Sequence, residues 1–106
     1  MLATVLTDYA GRNIRLTDER REHILEHPEM WGMEAAIAGA LAHPETVIRS
    51  LSDRAVWLYH RYYQRTALGD KWLCVVVKME VTDPFVITAY LTDRVKQGDV
   101  LWTAKP

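Results

Sequence analysis

The stretch KWLCVVVKMEVTDPFVITAYLT, residues 71–92, contains the two most apolar runs of the chain. The first run covers residues 73–77 and is rich in β-branched side chains, and the second covers residues 85–91. The polar link at residues 80–84 has the composition of a turn, and its proline can start a strand but cannot continue a hydrogen-bonded ladder. We therefore expect an antiparallel hairpin at the centre of a sheet.

Two helical segments precede this hairpin. Thr17 is a good N-cap, and the acidic residues Asp18 and Glu19 follow it in the first turn. The first helix is expected to run to about His27, because a proline comes next. The second helix, residues 33–42, is rich in alanine and leucine and is expected to be the more deeply buried of the two.

Strand patterns account for most of the remaining chain. Residues 46–51 and 56–65 precede the hairpin, and the short candidates 4–6 and 13–16 could pair around a glycine turn. A length of 106 residues suits one domain and not two. We therefore expect residues 1–106 to form a single α+β domain, with two N-terminal helices packed on one face of a four-stranded antiparallel sheet and a short N-terminal β-hairpin.

Composition and charge limit the classes of function. A formal net charge of -1 gives no general basic field for nucleic acid, although a local basic patch can lie on a neutral protein. Cys74 is the one cysteine, which excludes a disulfide scaffold and indicates a buried, unreactive thiol. The first residues lack the pattern of a signal peptide, and no apolar run reaches membrane-spanning length. We therefore expect a cytoplasmic protein with no membrane partner.

His23 and His27 stand four residues apart on the first predicted helix and so share a face. That spacing suits zinc, with His43 or His60 as a third ligand, but Ile24 stands where metalloproteases carry a glutamate. A simpler interpretation is one exposed histidine and one that caps the helix. The third interpretation is that His23 acts as an acid or base, because histidine ordinarily changes charge near neutral pH.

Polar residues interrupt the two central strands. Lys78 ends the more apolar strand, where it can extend into solvent or offer a cation to a phosphate. Thr88 and Tyr90 alternate with apolar neighbours and therefore share one face of the sheet. They are either part of a solvated face or hydrogen-bond donors to a phosphoryl oxygen or a base edge.

The long strand at residues 56–65 places an aromatic and arginine ladder on one face and His60 on the other. Such a ladder suits the stacking of bases and contacts with phosphates. Cross-strand aromatic packing explains the tyrosines equally well. The ladder that we consider consists of Tyr59, Arg61, Tyr63 and Arg65. The residues that we expect to contact the substrate are Tyr59, Tyr63 and Arg65 of this ladder, together with His60.

Several short motifs of the chain match a known group of proteins. They are LTDERREHIL at 16–25, HPE at 27–29, LYHRYY at 58–63, LCVVVK at 73–78 and VITAY at 86–90. With these motifs, residues 16–102 resemble the small phage and bacterial nuclease-like domains grouped with barnase, EndoU, colicin and RelE. The resemblance is to the stand-alone form of this family, in which two helices precede a four-stranded antiparallel sheet.

The resemblance implies a metal-independent endoribonuclease without a cofactor, and the toxin of a toxin–antitoxin pair. Its partners would be RNA and a small antitoxin-like protein. The ribose 2′-hydroxyl would attack the adjacent phosphate, which requires a base, an acid and cations. The residues that fit these catalytic roles are His23 as base or acid, Arg61 and Lys78 on the phosphate, and Thr88 and Tyr90 as hydrogen-bond donors. His60 is a second acid–base candidate, at a position where the family tends to carry tyrosine.

Two other functions compete with this hypothesis. The first is a binding module of the same fold that contacts RNA or a protein through the aromatic and arginine ladder without catalysis. The second is a metal-dependent hydrolase built on His23 and His27. Catalysis requires His23 to lie within reach of Lys78, Thr88 or Tyr90, whereas a binding module needs no such convergence.

Overall fold

One mixed sheet of seven strands forms the framework of the domain, in a computed structural model that describes residues 2–105. The strands are β1 (Ala3–Thr7), β2 (Asn13–Thr17), β3 (Thr46–Arg49), β4 (Val56–Thr66), β5 (Gly69–Lys78), β6 (Phe85–Thr92) and β7 (Asp99–Thr103). The helices are α1 (Asp18–Leu25) and α2 (Glu34–Ala42), with a single 3₁₀ turn at Pro28–Met30 between them. Across the sheet the strands lie in the order β1-β2-β6-β5-β4-β3-β7.

The expected four-stranded antiparallel sheet with two helices is wrong. Strands β3 to β6 pair antiparallel in sequence order, but the sheet continues at both edges and is not wholly antiparallel. The β1–β2 hairpin joins β6 through a parallel pairing of Arg15 with Phe85, and β7 adds to the far side of β3. Burial explains why the β1–β2 hairpin joins the sheet at β6, because Ile14 and Leu16 of β2 are almost fully buried and must pack against the core.

The hydrophobic core lies between the two helices and one face of the sheet, which we call the helix-covered face. Successive residues of a strand point to opposite faces, so every second residue of the central strands reaches this core. The opposite side is the helix-free face. The core residues include Ile24, Ile37, Ala40 and Leu41 from the helices and Tyr59, Leu73, Val75, Val77, Val86 and Ala89 from the sheet.

The helix ends follow local signals in the sequence. The Thr17 hydroxyl accepts a hydrogen bond from the backbone N–H of Arg20 over 3.2 Å, as expected of an N-cap. Helix α1 ends at Leu25, two residues before the expected end at His27, and the chain then enters the 3₁₀ turn.

No helix of residues 2–105 combines the length and the apolar composition that a membrane span requires.

A buried carboxylate joins the β1–β2 turn to β4. The side chain of Asp8 accepts hydrogen bonds from the backbone N–H groups of Ala10 and Arg12, and from the Arg12 guanidinium. The Tyr59 hydroxyl donates a further hydrogen bond to Asp8 over 2.7 Å. Four donors therefore satisfy a carboxylate that would otherwise be costly to bury.

The connection from β6 to β7, residues 93–98, crosses the helix-free face, and we call it the crossing segment. Because β7 lies beside β3, this connection must pass over β5, β4 and β3. At its far end Gly98 lies against Arg49 and Ile48, so closely that a Cβ at this position would overlap both residues. The segment therefore covers the middle of a face that would otherwise be open.

Candidate functional site

The structure divides the predicted site residues between the two faces of the sheet. The residues on the helix-free face are His60, Lys78, Thr88 and Tyr90. The residues on the helix-covered face are Tyr59, Arg61 and Tyr63 of β4, and His23 lies on α1 on the same side of the sheet. Arg65 lies where the pairing of β4 with β5 becomes irregular, and it lines a cavity together with Tyr63. The convergence of His23 with Lys78, Thr88 or Tyr90, which catalysis by His23 on these strands requires, is therefore absent.

His60 lies at the centre of the helix-free face, beneath the crossing segment. Its side chain is fully buried, and its Nε2 accepts a hydrogen bond from the backbone N–H of Lys96 over 3.2 Å. Its Nδ1 has no hydrogen-bond partner among the described residues. Burial lowers the pKa of His60 to about 4, and the Lys96 ammonium adds to this shift. The imidazole is consequently neutral at pH 7.

A row of three side chains continues from His60 across the sheet. His60 lies opposite Cys74 on β5, which lies opposite Tyr90 on β6. Burial raises the pKa of Cys74 to about 11, so the thiol stays protonated and unreactive, as expected from the sequence. Burial also raises the pKa of Tyr90, whose ring centroid lies 5.4 Å from the Lys96 ammonium. The crossing segment thus lies over both Tyr90 and His60.

Lys78 and Thr88 lie on the same face but beyond this row. Thr88 is half-buried opposite Val76, and Lys78 ends β5 opposite Val56. The Lys78 ammonium forms an ion pair with Asp53 over 2.8 Å, which raises the pKa of Lys78 and lowers that of Asp53. A phosphate at Lys78 would therefore have to compete with this exposed carboxylate.

The aromatic and arginine ladder of β4 is only partly available for contacts. Tyr59 is fully buried and its hydroxyl donates to Asp8, so it cannot stack with a ligand. The Tyr63 hydroxyl donates to the carbonyl of Ala36 on α2, and burial raises the pKa of this tyrosine. Arg61 donates to the carbonyl of His43 over 2.6 Å, and its guanidinium lies 5.8 Å from the Tyr63 ring centroid.

A cavity of about 310 Å³ lies beside the end of this ladder. It is formed where the turn after α1 meets the last residues of β4. Trp31 lines it and is 67% exposed, and sequence patterns gave it no role. The only available signal was a large aromatic residue between Pro28 and Gly32, where no amphipathic helix could bury it. The other residues that line it include Tyr63, Gln64, Arg65, Glu29 and Met33.

A larger cavity of about 420 Å³ lies between the β1–β2 turn and the β5–β6 link. It is lined by Arg12 and by residues of the link such as Glu80 and Pro84, and it contains none of the candidate site residues. Its cation is already engaged, because Arg12 pairs with Asp8 over 2.9 Å. Among the described residues, this cavity therefore offers an anionic ligand no cation that is not already paired.

His23 and His27 are both exposed, and each lies near an acidic neighbour. Nδ1 of His23 lies 3.9 Å from the carboxylate of Glu26, and Nδ1 of His27 lies 3.5 Å from that of Glu29. Each histidine thus has one carboxylate nearby, and residues 2–105 contain no group of three metal-ligating side chains. The spacing of His23 and His27 does not by itself assemble a metal site there.

The helix-free face can offer a cation, two hydroxyl groups and a covered imidazole, whereas the cavity on the opposite face offers an aromatic surface beside an arginine. The first set suits the binding of an anionic oxygen, and the second suits a planar ring. Comparison with models of protein families, with curated proteins and with solved structures gives no significant match.

Proposed function

We propose that this domain is a metal-independent endoribonuclease of the cytoplasm, and the toxin of a toxin–antitoxin pair controlled by a small antitoxin-like protein. The observation that carries the proposal is the presence of Lys78, Thr88 and Tyr90 on one face of two adjacent strands. The motifs that resemble the barnase, EndoU, colicin and RelE group support the same activity. Single-stranded RNA is the proposed substrate, and the reaction uses no cofactor.

The reaction needs a base, an acid and groups that stabilise charge on the phosphate. The ribose 2′-oxygen forms a bond to the adjacent phosphorus while its proton passes to the base. The bond from phosphorus to the 5′-oxygen then breaks as the acid protonates that oxygen. In this proposal Lys78 binds one phosphoryl oxygen, and the hydroxyls of Thr88 and Tyr90 donate hydrogen bonds to other oxygens of the phosphate backbone. The raised pKa of Tyr90 favours the protonated, donating form of its hydroxyl.

We assign both proton transfers to His60, because it is the histidine on the same face. Its imidazole takes the proton of the 2′-hydroxyl and returns it to the departing 5′-oxygen. In the unbound protein its Nε2 is occupied by the backbone N–H of Lys96. Catalysis therefore requires the crossing segment to move aside when RNA binds. Exposure to water would return the pKa of His60 towards its ordinary value of 6.5, which suits an acid or base near neutral pH. His23 is the alternative assignment, on the opposite side of the sheet.

The test is incubation of the purified protein with mixed single-stranded RNA in excess chelator. The variants are Lys78→Gln, His60→Gln and His23→Gln. Lys105→Gln is the control, because Lys105 is an exposed lysine that follows β7 and belongs neither to the proposed site nor to the crossing segment. We expect the parent to leave cyclic phosphate ends, and the Lys78 variant to be slower by roughly 100-fold. The control should cleave at the parental rate.

The histidine variants decide the acid–base assignment. Loss of cleavage in the His60 variant with retention in the His23 variant is the expected result. The reverse result would move the active site to the helix-covered side and contradict our use of the helix-free face. If the parent cleaves neither free RNA nor messenger RNA in a translation assay with ribosomes, the proposed activity itself is wrong.

A second candidate function is a non-catalytic module that binds RNA or a protein. This function is favoured because the candidate catalytic groups already have partners within the protein. His60 is covered by the crossing segment, Lys78 pairs with Asp53, and Arg61 donates a hydrogen bond to the carbonyl of His43. This function predicts saturable binding without cleavage, weakened by Arg61→Ala. Binding that is undiminished in that variant would count against contact through the β4 ladder.

A further inference from the structure

We propose that the cavity beside Trp31 binds one base of a single-stranded RNA, stacked on the indole ring. The substrate class rests on the proposed function, and the site lies on the opposite side of the sheet from the proposed catalytic groups. Three observations carry the inference: a fixed and exposed aromatic ring, a cavity of suitable size, and an arginine at its rim.

Trp31 is held in place but leaves its ring open to solvent. Its indole N–H donates a hydrogen bond to the carbonyl of Leu25 over 2.7 Å, which fixes the orientation of the ring. The residue as a whole is nevertheless 67% exposed. Gly32, with a φ of 80°, turns the chain directly after it, a conformation that glycine adopts without strain. A ring that is ordered in advance loses little conformational freedom when a ligand stacks on it.

The cavity can enclose one ring and contact its edge. Its volume of about 310 Å³ is at the lower end of the range for small-molecule sites. Trp31, Met33 and Tyr63 supply apolar and aromatic surface, and the Tyr63 hydroxyl is already satisfied by Ala36. Gln64 adds an amide that can both donate and accept hydrogen bonds. These groups suit a planar ring with polar edges, which is the chemistry of a nucleobase.

Charge at the rim indicates where the phosphate would lie. Arg65 is exposed, lines the cavity and forms no ion pair with any residue in the described part of the chain. Its backbone is fixed at a φ of 59°, and its N–H donates to the side chain of Asp70 over 2.9 Å. Glu29 also lines the cavity, near His27, and can accept a hydrogen bond from an exocyclic amine. Stacking surfaces beside cations are typical of proteins that bind single-stranded nucleic acid.

The test measures binding of a short, fluorescein-labelled single-stranded RNA by anisotropy at fixed salt. We expect Trp31→Ala to weaken binding by roughly 5- to 150-fold, the range seen when one stacked base loses its aromatic partner. Trp31→Phe should retain most of the affinity because it keeps an aromatic face. Arg65→Gln should weaken binding and reduce its dependence on salt. Leu51→Ala, at another exposed apolar residue, and Arg54→Gln, at another exposed arginine, are the matched controls.

Each outcome bears on the inference. Parental affinity in both Trp31→Ala and Arg65→Gln would overturn it, as would equal losses in the two controls. Adenosine monophosphate that binds as tightly as the RNA would assign the cavity to a free nucleotide and overturn the RNA ligand. Thermal unfolding of each variant shows whether it is folded. If Trp31→Ala is not folded, the affinities of Trp31→Phe and Arg65→Gln for the RNA decide whether the inference holds.

The same proteins separate this inference from the proposed function. A parent that binds RNA through Trp31 but never cleaves it would refute the proposed ribonuclease and leave the base site standing. A parent that cleaves RNA, with a Trp31→Ala variant of unchanged affinity and rate, would refute the base site and leave the ribonuclease standing.

Discussion

The backbone N–H of Lys96 donates a hydrogen bond to Nε2 of His60, so the crossing segment is bonded to a fully buried histidine. Nε2 can accept this hydrogen bond only while it carries no proton. Protonation of the ring at Nε2 would therefore break the bond and place a charge in a buried position. The Lys96 ammonium, which lies near the ring, opposes that charge further.

This relationship predicts that acid destabilises the protein through His60. Its pKa is about 4 in the folded state and 6.5 for the unperturbed side chain. Above pH 6.5 the ring is neutral in both states and has no effect on the pH dependence of stability. As the pH falls from 6.5 to about 4, the unfolded state binds the proton preferentially, and the free energy of unfolding decreases by up to about 3 kcal/mol.

Urea unfolding at about pH 7.5 and about pH 4.5 measures this loss. His60→Gln should remove it, so the variant should depend less on pH than the parent over this interval. The lower of the two pH values is above the ordinary pKa of 3.8 for the carboxylates of Asp53, Asp83 and Asp93. The ion pairs of these three residues lower their pKa values further, so these carboxylates stay ionised at both pH values. An equal dependence on pH in the two proteins would show that His60 is not the group responsible.

A second prediction concerns the far end of the crossing segment. The Cβ of Gly98→Ala would overlap the carbonyl oxygen of Arg49 and the side chain of Ile48. Because one of these groups is backbone, the segment has to shift, and we expect a loss of about 1–3 kcal/mol in the free energy of unfolding. Faster hydrogen exchange at the Lys96 amide should accompany it. Gln97→Ala, at the exposed neighbouring residue, is the control, and an equal loss in both variants would contradict close packing at Gly98.

The sequence predicted local structure better than it predicted the order of the strands. Thr17 caps α1 because its hydroxyl acts on its own helix, and the residues 71–92 pair as a hairpin because the two strands are adjacent in sequence. The parallel contact of Arg15 with Phe85 joins residues far apart in the chain, and hydrophobic patterns do not encode such a partner. The edges of the sheet were therefore missed.

The sequence also predicted the candidate site only in part. A period of two residues places Thr88 and Tyr90 on one face, which is where the structure has them, but it does not say which face the helices cover. The ladder of β4 proved to be on the covered side, with Tyr59 in the core. Trp31 lies in a turn without periodicity, so no pattern could assign it to a cavity.

A third prediction tests the contact that fixes the β1–β2 turn to the sheet. Tyr59→Phe removes one of the four donors to the Asp8 carboxylate but leaves the other three, so we expect a loss of about 1–2 kcal/mol in the free energy of unfolding. Asp8→Ala leaves the Tyr59 hydroxyl and the backbone N–H groups of Ala10 and Arg12 without their acceptor. We expect that variant to lose about 3–5 kcal/mol.

Urea unfolding of the two variants, with Tyr62→Phe as the control, measures both losses. Tyr62 is the partly exposed neighbouring tyrosine on the helix-free face. We expect this order because removing the acceptor leaves several donors unpaired, among them the buried Tyr59 hydroxyl, whereas removing one donor leaves the carboxylate satisfied. If Asp8→Ala were no more destabilising than Tyr59→Phe, the carboxylate would not be the centre of this network, and the pairing with β6 and the burial of Ile14 and Leu16 would hold the hairpin to the sheet.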